Sequence, residues 1–133
     1  MAIVVGYVPT REGRAALTGA VDEAVRRGTG LVVINSSRDT PDEAQAAQNE
    51  QEMRRVAEPL QSAGLDFEVR SLVRGVEPAE DLVAVAEEVD AELIVIGLRR
   101  RTPVGKLILG SNAQRVLLDA PCPVLAVKAP PTD

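Results

Sequence analysis

From Gly97 to Asn112 the chain reads Gly-Leu-Arg-Arg-Arg-Thr-Pro-Val-Gly-Lys-Leu-Ile-Leu-Gly-Ser-Asn, with four cations and no acid. A guanidinium offers forked donors and an ammonium a point charge, and both suit phosphate. Gly97 and Gly110 let the backbone approach a ligand with no Cβ in the way. Ser111 reads as the N-cap of a helix whose free N–H groups attract anions. The chemistry this spacing suits is the cradling of phosphates. It is not a Walker A loop, because Gly105-Lys106 is followed by Leu107 and the leading glycine position is Arg100. No G-x-G-x-x-G is present either, so dinucleotide binding of the dehydrogenase type is not supported.

The charge distribution isolates the same stretch. The 133 residues hold 15 Lys and Arg against 20 Asp and Glu, a net of −5. All the acids lie outside residues 93–118, where Arg99, Arg100, Arg101, Lys106 and Arg115 give +5, leaving −10 on the rest. A net acidic chain is unsuited to bulk binding of nucleic acid or an anionic membrane. A local +5 points to a small anion or to an acidic patch on a partner.

Absences narrow the classes further. With no His, the chain has no histidine general base, no Ser-His-Asp arrangement and no histidine metal ligand. The one Cys, Cys122, forms no intrachain disulfide or thiolate cluster and suits a reducing, cytoplasmic compartment. Its place between two prolines at a strand start fits a small core residue better than a redox thiol. Two aromatic residues, Tyr7 and Phe67, are too few for base-stacking on single strands. No apolar run approaches the ~18 residues of a membrane span, and no basic leader segment opens the chain.

These residues must be positioned by alternating strands and helices. Ile3-Val4-Val5, Leu31-Val32-Val33-Ile34, Leu93-Ile94-Val95-Ile96 and Pro123-Val124-Leu125-Ala126-Val127 are unbroken apolar runs. Phe67–Leu72 alternates instead, as a half-exposed edge strand does. Between the runs lie amphipathic helices. Residues 11–27 place Leu17, Ala20, Val21, Ala24 and Val25 on one face, closed by Gly28 and Gly30. A second helix follows Thr40-Pro41 with Met53, Val56, Ala57 and Leu60 inward, and Pro59 should kink its end. The acids from Asp39 to Glu58 read as its solvated face. A third starts at Pro78 with Leu82, Val85, Ala86 and Val89 inward, and a last one carries Ala113, Val116, Leu117 and Ala120.

Runs without alternation, separated by helices, mean parallel strands with helices on both faces. The expected fold is an α/β, open, doubly wound five-stranded parallel sheet of order 3-2-1-4-5. It forms one domain over residues 1–129, with a loose tail at 130–133. In such sheets ligands bind at the carboxyl ends where the order switches, here between strands 1 and 4. Residues 8–12 and 97–111 meet there, and Ser36 leaves strand 2 nearby.

Ala91–Gly97, Gly110-Ser111 and Ala120–Lys128 together closely resemble the universal stress protein family. Ile3-Val4-Val5-Gly6-Tyr7 and Gly75-Val76-Glu77-Pro78 extend the likeness over essentially the whole chain. ATP-binding members carry G-x2-G-x9-G-[S/T] after strand 4 and an Asp closing strand 1. Gly97, Gly110 and Ser111 match at the right spacing; the middle glycine is Arg100, and the Asp position is Val8. The resemblance implies a stress-response regulatory module binding an adenine nucleotide (ATP, ADP or AMP), with Mg only if nucleotide is bound. The implied nucleotide set is Tyr7, Val8, Pro9, Ser36, Ile96, Gly97, Arg99, Arg100, Lys106, Gly110, Ser111 and Asn112. It also implies a homodimer through the last strand, Pro123, Val124, Leu125, Ala126 and Val127. The alternative is a nucleotide-free dimeric module that docks an acidic protein partner on Arg99–Arg101. Catalysis would at most be slow ATP hydrolysis assisted by Glu12 or Glu77, with no metal site of the protein's own.

Overall fold

The computed structural model describes residues 2–37, 40–73, 75–98 and 110–129. The elements alternate as expected: β1 (Ala2–Gly6), α1 (Arg11–Arg27), β2 (Gly30–Ser37), α2 (Glu43–Ser62), β3 (Phe67–Val73), α3 (Pro78–Glu88), β4 (Leu93–Leu98), α4 (Ser111–Asp119) and β5 (Val124–Lys128). All pairings are parallel and the order is β3-β2-β1-β4-β5. At its centre Val4 pairs with Val32 on one side and Ile94 on the other. The alternating edge strand is β3, and β2, β1 and β4 carry the fully buried runs.

Because successive strand residues face opposite sides, the sheet divides its core in two. Ile3, Val5, Leu31, Val33, Leu93 and Val95 pack under α1 and α2. Val4, Val32, Ile34, Ile94 and Ile96 pack under α3 and α4. The α1 contact surface is made of small residues: Gly13, Ala16, Ala20 and Ala24 are buried, Leu17 and Val21 are partly buried, and Val25 is 63% exposed. The alanine stripe, rather than the larger residues, therefore seats this helix close to β1 and β4. Leu117 likewise turns outward, leaving Val116 as the buried residue of α4.

Several local expectations change. Gly28 alone closes α1, at φ 64°, while Gly30 already belongs to β2. The second helix runs through Pro59 to Ser62, since only the last turn loses the proline's missing donor. It starts from a reciprocal cap in which Asp42 accepts from Gln45 N–H and the Gln45 amide accepts from Asp42 N–H. Its acids are exposed except Glu52, which turns inward to Tyr7. Cys122 packs, half-buried, against the core under α3 and α4, and burial pushes its thiol pKa up. Pro123 precedes β5 and accepts from Ile94 N–H through its carbonyl. Among the described residues no helix is long and apolar enough to cross a membrane.

Candidate functional site

From β1 the chain passes to α1 on one face, and from β4 it passes toward α4 on the other, so a crevice opens between the two strand ends. It is a cleft of about 220 Å³. Its floor is Gly6, Tyr7 and Val8 of the β1 end, Ile34 and Ser36 of β2, and Ile96 and Gly97 of β4. Glu12 and Gly13 of α1, Pro78, Ala79 and Leu82 of α3, and Asn112, Ala113 and Val116 of α4 complete the wall. Most of that wall is hydrocarbon, with Ser36, Asn112 and Glu12 supplying polar groups. Such a slot accepts a flat ring and orients it by a few hydrogen bonds.

Three helices begin at this cleft, and each satisfies its first N–H groups differently. In α1, Thr10 Oγ1 accepts from Gly13 N–H at 3.2 Å. In α3, Glu77 provides no side-chain cap, Pro78 has no N–H, and Ala79 N–H donates to Asn112 Oδ1 of α4 at 3.1 Å. In α4 the cap is Gly110, in extended conformation, and among the described residues no side chain caps the helix. Ser111 is thus the first helical residue rather than the N-cap expected of it. Gln114 N–H makes the first bond back to Gly110, so the N–H groups of Ser111, Asn112 and Ala113 precede the intrahelical ladder.

Two glycines of the wall are fixed by the protein itself. A Cβ on Gly13 would stand 1.9 Å from the Val8 carbonyl oxygen, and one on Gly97 2.2 Å from that of Glu12. Gly97 therefore admits the first turn of α1 against β4. The close approach that the sequence suggested for a ligand is taken by protein backbone.

Of the expected residues, the fold brings Tyr7, Val8, Ser36, Ile96, Gly97 and Asn112 to the cleft. Pro9, Gly110 and Ser111 lie in adjoining segments and do not line it. Arg99, Arg100, Arg101 and Lys106 fall outside the described residues. Arg115 separates from the basic set, pairing with Glu80 at 2.9 Å and Asp119 at 3.9 Å. Glu12 reaches the wall, while Glu77 is the N-cap of α3. Tyr7 adds to the wall, but its ring packs into the core beneath α1 and α2 and its hydroxyl donates to Glu52. Burial first, and then Glu52, push the phenol pKa up to about 12.

Asp81 was not anticipated. It is 2% exposed, and its Oδ2 accepts the Ser36 hydroxyl at 2.5 Å. The signal was available in the sequence: Asp81 sits one turn before Val85, on the inward stripe of α3. Among the described residues no three His, Cys, Asp or Glu side chains group as a metal site.

A parallel five-stranded sheet of order β3-β2-β1-β4-β5 with an apolar cleft at its switch point defines an open, doubly wound α/β domain. Residues 1–128 match the model of the universal stress protein family, and the chain belongs to that family. A universal stress protein of Mycolicibacterium smegmatis is 50% identical over 127 residues, covering 95% of this chain and 96% of the relative. A solved universal stress protein from Archaeoglobus fulgidus superposes with a TM-score of 0.83 at 36% identity, over 96% of this chain and 98% of the other. Another from that organism, in complex with dAMP, gives 0.79 at 31% identity over the same shares. A universal stress protein in complex with cAMP gives 0.73 at 27% identity, over 98% of each chain.

Proposed function

We propose that this chain is a cytoplasmic stress-response regulatory module that binds an adenine nucleotide (ATP, ADP or AMP) in the cleft between β1 and β4. The observation that carries the reading is the pairing of an apolar slot with the glycine-capped N-terminus of α4 at its rim. A base fits the slot, and a phosphate suits the N–H groups of Ser111 to Ala113 and the nearby cations of the sequence. The dAMP and cAMP complexes of the structural relatives support the same ligand class. Mg²⁺ would come only with the phosphates. The module pairs as a homodimer along β5.

Calorimetric titration of the purified protein with ATP, ADP and AMP tests the reading. Binding heat is expected, weakened by Arg100→Glu and by Lys106→Glu. No heat at millimolar nucleotide overturns it and favours the reading in which Arg99–Arg101 docks an acidic protein.

A further inference from the structure

Ser36 is the polar side chain at the β2 side of the cleft, and its single proton is already used. The hydroxyl donates to Oδ2 of Asp81 at 2.5 Å, and Asp81 is 2% exposed at the start of α3. A serine hydroxyl has one O–H donor and two acceptor lone pairs. With the donor directed into a buried carboxylate, only the lone pairs are left to face the cleft. We infer that Asp81 is a positioning residue that makes Ser36 an obligate hydrogen-bond acceptor, so the ligand must present an N–H or O–H donor at the β2 side of the cleft.

The surroundings strengthen the requirement. Ile34, Leu82 and Ile96 line the same cleft, so a ligand covering Ser36 shuts out water that could otherwise satisfy the oxygen. An acceptor placed there would face lone pairs with no proton between them, in an environment where an unmet polar group is costly. This inference rests on nucleotide binding at the cleft and adds to it a rule of selection. The donor is either the 6-amino group of a purine or a ribose hydroxyl, which share the one chemistry.

The test is a set of dissociation constants for the wild type, Ser36→Ala and Asp81→Asn. The ligands are AMP, inosine monophosphate, which replaces the amino group by a carbonyl, and 2′,3′-dideoxy-AMP, which lacks the ribose hydroxyls. The wild type should prefer AMP over one of the two analogues by ~10-fold, the cost of one unmet acceptor in a closed site; which analogue is rejected identifies the donor. In Ser36→Ala that preference should fall to within ~2-fold, because no acceptor remains to be satisfied. In Asp81→Asn the amide N–H can serve Ser36 instead, freeing its proton toward the ligand, and the preference should collapse in the same way. A purely structural Asp81 would weaken every ligand alike and leave the ratio unchanged. An unchanged ratio in either variant, or no preference in the wild type, overturns the inference while AMP binding stands. Failure of the wild type to bind AMP overturns the nucleotide reading itself. Ser36→Ala, which removes one oxygen, decides the matter should Asp81→Asn not fold.

Discussion

Gly97 at the end of β4 lies so close to α1 that a Cβ there would stand 2.2 Å from the carbonyl oxygen of Glu12. Backbone cannot yield as the tip of a side chain can, so Gly97→Ala must displace the first turn of α1 or the end of β4. Gly13→Ala meets the Val8 carbonyl at 1.9 Å and poses the same conflict from the other side. Each substitution should cost ~1–3 kcal/mol, the usual range for overpacking. A lowered denaturant midpoint with an unchanged slope would record it. Wild-type stability in both variants would mean that the α1–β4 approach is looser than this.

Asn112 ties two helices through one bond. Its Oδ1 accepts from Ala79 N–H and so caps α3 from α4. Removing the oxygen in Asn112→Ala should cost about 1 kcal/mol, as loss of an N-cap does. Asn112→Asp keeps an oxygen and adds a negative charge near two helix starts, so it should restore most of that loss. The specific check is amide exchange at Ala79, faster in the alanine variant and slow in the aspartate one.

Fold and site were legible to different depths. Strands buried on both faces leave unbroken apolar runs, and the β3 edge leaves alternation, so sheet and order could be read directly. The switch point then located the cleft, and Tyr7, Val8, Ser36, Ile96, Gly97 and Asn112 fell within it. What composition conceals is a polar residue turned inward. Asp81 and Glu52 both lie in helices rich in exposed acid, and the Ser36 and Tyr7 hydroxyls opposite them are partners that composition does not reveal. Arg115 looked like one more cation of the basic stretch until α4 set it against Glu80 of α3. Capping by Gly110 was hidden as well, because Ser111 is the better cap by chemistry and loses the place on backbone geometry alone.

The Tyr7 phenol has its pKa raised from 10.0 to about 12 in the folded protein, by burial and by Glu52. An unfolded chain loses this proton first, so between these values it binds fewer protons than the native state. Stability is then full below pH 10.0 and declines as the pH climbs to about 12. Tyr7 is the sole tyrosine and there is no Trp, so ultraviolet absorbance of tyrosinate follows this one group. Glu52→Gln should lower the midpoint only in part, because burial is the larger cause. A native midpoint at 10.0 would contradict the buried phenol.

Arg115 belongs to the basic window in sequence but not to the site. Its side chain is 49% exposed and that of Glu80 39%, so their ion pair is well solvated. Arg115→Ala should change stability by at most about 0.5 kcal/mol. It should leave AMP affinity unaltered, whereas Lys106→Glu lowers it. Equal losses of affinity in the two variants would return Arg115 to the site.

The proposed dimer makes a positional prediction along β5. Ile94 N–H donates to the Pro123 carbonyl, which sets the phase of the β4–β5 ladder. In a parallel pair alternate residues bond to the same neighbour, so Leu125 and Val127 turn their amides to β4 while Val124 and Ala126 turn theirs to the open edge. Proline lacks an N–H and is tolerated in a sheet where that N–H faces outward from an edge strand. Ala126→Pro should therefore leave the monomer folded and remove a donor that a second β5 needs. Leu125→Pro strikes the ladder to β4 instead and should lower stability. Sedimentation of the two variants beside circular dichroism separates the cases: a folded monomer is expected for Ala126→Pro. A wild-type-like dimer in that variant would place the contact away from the β5 edge.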